Sequence, residues 1–284
     1  MAIDPLLGFL GDRAITGIES WDGSTFRRSV RTPDGGTAVI GFTPRPAHGF
    51  VRLRIADDDP VDATVLVGTA RRLLDLDADP AVIDRILSAD PALKPLIRAT
   101  PGMRVPGAAD GFELSVRAIL GQQVSVRAAR TFAGRIVEAL GTPLERPTGG
   151  VTHLFPTAEQ VARGSLCSIG LTTARASTLQ RVASLVATGE LDLTGTADRA
   201  VTAERLLAVP GIGPWTVAYV SMRVLHDADA FLVGDLGVRL GFEALGLPTT
   251  PAAMREHAER WRPWRAYAVM HLWHGAHRTT TARA

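Results

Sequence analysis

Leu207–Ala208–Val209–Pro210–Gly211–Ile212–Gly213–Pro214–Trp215–Thr216 joins two segments of helical character. One helix ends, two glycines flank a single apolar residue, and a proline opens the next helix. Glycine lets the backbone turn tightly and approach another backbone closely. Ile212 is placed to plug the gap between the helices, and proline suits a first helical position. The free N–H groups at the new helix start make an anion site, which binds phosphate whatever the base sequence. No strand precedes the glycines, so a dinucleotide-binding reading fails. Taken alone, Pro210–Gly213 also fits an ordinary tight helix–helix turn.

Further along comes Phe231–Leu232–Val233–Gly234–Asp235–Leu236–Gly237–Val238–Arg239. Here an acidic residue stands between an apolar run and a new helix. By itself Asp235 fits a plain N-cap.

Around these two stretches the chain reads as helical from Asp110 onward. Asp110 caps a helix with Glu113 as its capping-box partner. Helical segments are expected over 110–120, 125–140, 174–188 and 203–207, with another starting at Thr157. Residues 141–155 are expected to form a loop rich in Gly, Pro and Thr. The first part differs. Segments 24–32, 36–44 and 49–56 are strand-like and separated by turn signals at 33–36 and 44–49. An acidic turn follows at 57–60. Helical periodicity starts near Val61, with Leu66, Ala70, Leu73 and Leu74 on one face, and a short helix covers 80–87. Pro101–Pro106 is a break. The reading is α+β, mainly α: an N-terminal antiparallel sheet domain with helices over 1–104, then a helical domain over 105–284 with the hairpin at about 203–222. The last residues, 279–284, read as a frayed tail.

The chain has 284 residues, 46% hydrophobic and 21% charged. That suffices for a sizeable core and suggests roughly two domains. No run approaches the ~18 apolar residues of a membrane span. Met1–Leu10 is apolar but carries Asp4 and lacks a basic leader, so it reads as folded protein rather than a signal peptide. The single cysteine, Cys167, excludes an internal disulfide and a four-cysteine iron–sulfur cluster, and is expected to be a small buried hydrophobe. A reducing cytoplasm, with nucleoid association in a bacterium, and a monomer are expected. Net charge is +2. Residues 1–100 carry 12 basic and 14 acidic side chains against 19 and 15 in the rest, a distribution compatible with a DNA partner. Lys94 is the only lysine among the 31 basic side chains.

The hairpin followed about twenty residues later by Asp235 resembles the helix–hairpin–helix DNA glycosylases. Three further stretches narrow the resemblance to the AlkA-like 3-methyladenine DNA glycosylase II group: Arg117–Ala118–Ile119–Leu120–Gly121–Gln122–Gln123–Val124–Ser125–Val126, Ala258–Glu259–Arg260–Trp261–Arg262–Pro263–Trp264–Arg265–Ala266–Tyr267–Ala268, and His271–Leu272–Trp273. Leu7–Gly8–Phe9–Leu10 resembles the family's start. The likeness covers nearly the whole chain, in order.

The resemblance implies an N-terminal antiparallel sheet with helices and two helical subdomains around a cleft. It implies base excision repair of double-stranded DNA carrying alkylated purines such as 3-methyladenine and 7-methylguanine, with Asp235 catalytic. Trp215, Tyr219, Trp273 and Phe9 would line the base pocket. Gly211, Ile212, Gly213 and Thr216 would contact DNA. Gln123 would be the wedge that fills the hole left by a flipped base, at a position where the family's pattern carries leucine. Bifunctional relatives carry a nucleophilic lysine where this chain has Trp215, so the enzyme is expected to hydrolyse the bond without nicking the backbone. No cofactor is required. A structural monovalent cation, Na or K, is implied on the carbonyls of Leu207, Val209 and Gly211. His271, His274 and His277 recur every three residues, but without a further ligand at a recognisable spacing they read as a core or solvated histidine face.

Three alternatives stay open on sequence: a glycosylase for oxidised or deaminated bases, a non-catalytic damaged-DNA-binding module, and a piece of a longer polypeptide joined to an alkyl-transfer repair domain.

Overall fold

A computed structural model of the chain describes residues 2–32, 35–45, 50–56 and 63–281, with nothing stated of side chains 277–281. Helix α1 (Ile3–Asp12) precedes strands β1 (Glu19–Trp21), β2 (Phe26–Arg31), β3 (Thr37–Arg45) and β4 (Phe50–Ile55). They form one antiparallel sheet in the order β1-β2-β3-β4. Facing pairs such as Phe26–Phe42 put aromatic and branched side chains on one surface, which α1 and α2 (Ala63–Leu73) cover. Leu66, Ala70, Leu73 and Leu74 are buried there together, as their helical spacing predicted. The expected turns at 33–36 and 44–49, the acidic turn at 57–60 and the end of the tail lie wholly or partly outside the described residues.

After α3 (Pro80–Leu87) and α4 (Lys94–Ala99) comes a run of helices: α5 (Gly111–Leu120), α6 (Val126–Leu140), α7 (Ala158–Arg163), α8 (Thr173–Ala187), α9 (Arg199–Leu207), α10 (Pro214–Arg223), α11 (Leu236–Ala244), α12 (Pro251–Ala258) and α13 (Arg265–Thr281). None of the described helices is long and apolar enough to cross a membrane.

Residues 141–155 are a correction to the sequence reading. They form a hairpin, β5 (Thr142–Thr148) and β6 (Val151–Leu154), instead of a loop. Gly149 and Gly150 turn it, both at positive φ. Two prolines disguise it, Pro143 and Pro147, because proline removes a ladder donor. Its partners are far away in sequence. The N–H groups of Thr152 and His153 donate to the Gly17 carbonyl, and Ser29 Oγ donates to the His153 carbonyl at 2.7 Å.

Glu113 is the second correction. Asp110 caps α5 by accepting from the Glu113 N–H at 2.7 Å, but the Glu113 carboxylate does not reach back. It joins a buried quartet instead. Arg28 binds Glu113 at 2.7 Å and Glu19 at 3.2 Å, and Arg117 binds Glu113 at 2.6 Å and Glu19 at 2.8 Å. Two cations and two anions balance inside the interface of sheet and α5. Removing one would strand a buried charge, at a cost of about 3–5 kcal/mol. The quartet thereby fixes α5, whose C-terminal end carries Gln122 and Gln123.

Among the described residues apolar side chains gather in three large cores and a small fourth one, Val39 of the sheet with Leu144, Val151 and Leu154 of the β5–β6 hairpin. Of the large cores, one lies under the sheet, and one unites α5 to α10. In the third, Ile83 and Leu87 of α3, Leu93 just before α4 and Ile97 of α4 share an interior with Met222, Phe242, Trp261 and Leu272. Near residue 104 the order along the chain and the partition of the interior therefore differ, since α3 and α4 lean on the C-terminal helices. Cys167 is exposed, contrary to its expected burial.

Candidate active site and nucleic-acid interface

Asp235 is the N-cap of α11, and Gly234 just before it takes φ +84°, a left-handed turn natural to glycine. The cap is real: Asp235 Oδ1 accepts from the Val238 N–H at 2.9 Å. The carboxylate does more. The indole N–H of Trp273 donates to Oδ1 at 2.8 Å, and that of Trp215 donates to Oδ2 at 2.9 Å. Three donors from α10, α11 and α13 thus fix both oxygens. Gly237 makes room, since a Cβ there would lie 2.6 Å from the Trp273 ring. Gly241, one turn on, admits Leu272 in the same way.

The aromatic rings expected around Asp235 come together. Trp215 and Tyr219, four apart on α10, stack at 5.3 Å. Tyr219 meets Trp273 at 6.3 Å, and Trp273 stacks on Phe9 at 5.9 Å and 10°. All four are half-buried, so some ring surface stays open. Phe9 arrives from α1 and packs in two cores at once.

Two arginines in this cluster were missed by the sequence reading. The Arg223 guanidinium is buried and engaged at all three nitrogens: it donates to Tyr219 Oη at 2.9 Å, to the Gly107 carbonyl at 3.2 Å and to the Pro106 carbonyl. The Arg13 guanidinium lies over the Phe9 ring, 3.7 Å from its centroid. Positions 9 and 13 are four apart, and that spacing was the available signal.

At the hairpin, Gly211 takes φ +92°, and a Cβ there would lie 2.3 Å from Thr178 Oγ1. Gly213 has ordinary φ and open space where a Cβ would stand. Ile212 is buried between the helices, as expected. The amides of Gly211, Gly213, Trp215 and Thr216 make no hydrogen bond among the described residues. Thr216 needs qualification. It is 2% exposed and its hydroxyl accepts from Gln122 Nε2 at 2.8 Å, so only its backbone amide is left for a ligand.

Gln122 is another residue the sequence reading gave no role. Its Nε2 also donates to the Gly211 carbonyl at 3.0 Å, and its own carbonyl accepts from Arg175 at 2.7 Å. It ties the end of α5 to the hairpin. Gln123 beside it is exposed at φ +55°, an uncommon backbone for a side chain of this kind.

Of the carbonyls suggested for a cation, Val209 accepts from the Ile212 N–H and Gly211 from Gln122. Leu207 accepts nothing among the described residues. A carbonyl has two lone pairs, so each of the three keeps at least one that a monovalent cation could use. No group of three His, Cys, Asp or Glu able to hold a metal exists among the described residues. His271 is buried, with Nε2 lacking a partner.

Comparison with known proteins matches two family models. Residues 1–110 match the AlkA N-terminal domain, and residues 116–266 match the HhH-GPD superfamily base excision DNA repair protein model. A Mycobacterium tuberculosis relative, "Probable bifunctional transcriptional activator/DNA repair enzyme AlkA", is 42% identical over 96% of this chain and 54% of its own length. This chain therefore spans about half of that relative. Escherichia coli "DNA-3-methyladenine glycosylase 2" is 34% identical over 95% of this chain and 92% of its own. The solved 3-methyladenine DNA glycosylase of Archaeoglobus fulgidus shares the fold at TM-score 0.80 and 22% identity, covering 98% of this chain and 95% of its own. Matched along almost its whole length, with its helices and sheet in the arrangement of that fold, the chain belongs to the HhH-GPD superfamily of base excision DNA repair proteins and opens with an AlkA N-terminal domain.

Proposed function

We propose that the chain is a monofunctional DNA glycosylase that hydrolyses the N-glycosidic bond of alkylated purines, such as 3-methyladenine and 7-methylguanine, in double-stranded DNA. The observation that carries this reading is the Asp235 carboxylate clamped between two indole N–H groups in an aromatic cleft beside the hairpin. The printed name of the Escherichia coli relative supports the substrate class. The chain acts as a monomer in the cytoplasm on this reading.

A base inside a duplex is out of reach, so the nucleotide must be flipped out. The hairpin amides hold a phosphate and set the register. Gln123, on its left-handed turn, enters the vacated stack. Strained backbone of this kind is frequent at functional tips. The base enters among Trp215, Tyr219, Trp273 and Phe9, whose ring faces attract a cationic base by ~0.5–2 kcal/mol. As the C1′–N bond lengthens, positive charge grows on the sugar. Asp235 stabilises that charge and orients the attacking water. Its side chain needs no reorganisation, because both oxygens are already held.

Trp215 occupies the place of a lyase lysine, and Lys94 is exposed on α4. On this reading Lys94, the only lysine in the sequence, plays no part in the chemistry and no Schiff base forms. A monovalent cation on the carbonyls of Leu207, Val209 and Gly211 would tie the hairpin to phosphate electrostatically.

The test is incubation with methylated duplex DNA and identification of what is released. Free 3-methyladenine and 7-methylguanine, intact abasic strands and no borohydride-trapped adduct are expected. Binding without any base release would mark a non-catalytic damage-binding module. A trapped adduct lost on Lys94→Ala would overturn the monofunctional assignment.

A further inference from the structure

Two guanidinium groups flank the Phe9 ring, and they differ in what they have left to give. Arg223 spends its Nε, Nη1 and Nη2 on Pro106, Tyr219 and Gly107. The Arg13 guanidinium makes one hydrogen bond among the described residues, from Nη1 to the Phe9 carbonyl at 3.3 Å. Its Nε and Nη2 donors remain uncommitted. Neither arginine forms an ion pair among the described residues. Arg13 is half-buried, so its free donors stand at the margin of the aromatic cleft and not in bulk solvent. After burial, which is the largest influence on its proton affinity, the Asp235 carboxylate is among the neighbouring groups that act on it, the smallest of them. Burial lowers its proton affinity, yet a guanidinium starts from so high a value that it stays charged.

This arrangement conflicts with a pocket that works by cation attraction alone. The Phe9 face already carries a cation, and a second lies 5.3 Å from the same ring. A base bearing a positive charge is repelled by Arg13. A neutral purine has the opposite need. Its leaving group develops negative charge and requires a donor, and the four aromatic side chains supply little acid at neutral pH.

Resting on the glycosylase reading, we propose that Arg13 is a specificity-determining residue that supports excision of neutral purines such as hypoxanthine by donating a hydrogen bond to the departing base. The C1′–N9 bond breaks with its electron pair passing to the purine. The negative charge spreads over the ring nitrogens and O6, and Arg13 donates to one of these acceptors. Water adds its oxygen to C1′, and the proton it loses ends on the purine, which departs neutral. Arg13 gives up no proton. An alkylated purine is already cationic, becomes neutral on cleavage and gains nothing from the guanidinium.

The experiment is single-turnover excision from matched duplexes carrying hypoxanthine or 7-methylguanine, with wild type, Arg13→Gln and Arg13→Lys. Arg13→Gln should slow hypoxanthine release at least about tenfold, as expected for loss of a charge-assisted hydrogen bond. Release of 7-methylguanine should stay within about twofold or rise, because a repelling charge is gone. Arg13→Lys, which keeps the charge, should recover part of the hypoxanthine activity. A purely structural role would lower both rates together, and equal loss on the two substrates overturns the proposal. So does a wild-type chain that releases 7-methylguanine but no hypoxanthine. A wild-type chain that releases neither base instead defeats the glycosylase reading.

Discussion

The hairpin at Val209–Thr216 and the cleft at Asp235 meet on the first turn of α10, where Thr216 faces one and Trp215 the other. They are made of different materials. The hairpin offers backbone: unbonded amides, a glycine in the left-handed region and a second glycine under open space. The cleft works through side chains from α1, α10, α11 and α13, drawn from residues 9 to 273. Backbone function is compact in sequence and tolerates little local change. Side-chain function is assembled by the fold, so it depends on helices being held in register from outside, as Gly237, Gly241 and the Arg28–Glu113 quartet hold them here.

The division predicts different failures. The largest belongs to the cleft. Asp235→Asn removes the charge and presents an amide N–H₂ to one of the two indole donors. Excision should fall at least about a hundredfold, the usual scale for such stabilising groups. Affinity for duplex DNA should persist, since the phosphate contacts are proposed at the hairpin. Single-turnover rates near wild type would remove Asp235 from the chemistry and leave it as a cap.

Next comes the hairpin, where the two glycines should part company. Gly211→Ala forces a side chain into φ +92° and against Thr178, so it should destabilise the protein by about 1–3 kcal/mol. Gly213→Ala meets nothing in the free protein and should leave stability within about 0.5 kcal/mol. The methyl group of Gly213→Ala would instead crowd an approaching phosphate. Its DNA affinity should drop by about tenfold on every duplex alike, with base selectivity unchanged. Thermal melts and binding to damaged and undamaged duplexes separate the two. If Gly213→Ala binds normally, the phosphate lies somewhere else.

The same contrast explains how much was legible in the sequence. The hairpin could be read from four residues, because glycine and proline report backbone geometry directly. The helix α5 was read from its Asp110 cap, and α3 and α6 from the helical character of their segments. The strand β1 spans only three residues, too few for alternation to show. The β5–β6 hairpin was hidden by Pro143 and Pro147, and its pairing with Gly17 and Ser29 is tertiary information. Asp235 reads locally as a cap, which it is. That aromatic residues gather near it was implied only by family resemblance, and its hold between two indoles is tertiary information. Arg13 and Gln122 carry no motif of their own: one is recognised by the ring beneath it, the other by the carbonyl and hydroxyl it bridges.

The smallest predicted effect tests whether the cleft depends on its buried support in a way the hairpin does not. His271 lies on α13 two residues before Trp273, 1% exposed, with Nε2 unpartnered. Burial, with a smaller contribution from His274, pushes its proton affinity down to about 4 from the ordinary 6.5. In the unfolded chain the ring takes a proton near pH 6.5, whereas in the folded chain it stays neutral to about pH 4. The unfolded state therefore binds more protons between these values, and stability falls as pH falls through that window. From pH 7 to pH 5.5 the loss assigned to His271 is about 1 kcal/mol. Replacing the ring by an apolar side chain of similar reach removes both the titration and an orphaned polar atom, so His271→Leu should be neutral or mildly stabilising at pH 7. The measurement is the difference between wild type and His271→Leu in denaturant stability at the two pH values, which cancels the other titrating groups. Wild type should lose more on acidification than the variant by that ~1 kcal/mol. Equal losses would mean that His271 is protonated or partnered in the folded protein, and that the Trp273 side of the cleft is held by something other than a dry apolar interior.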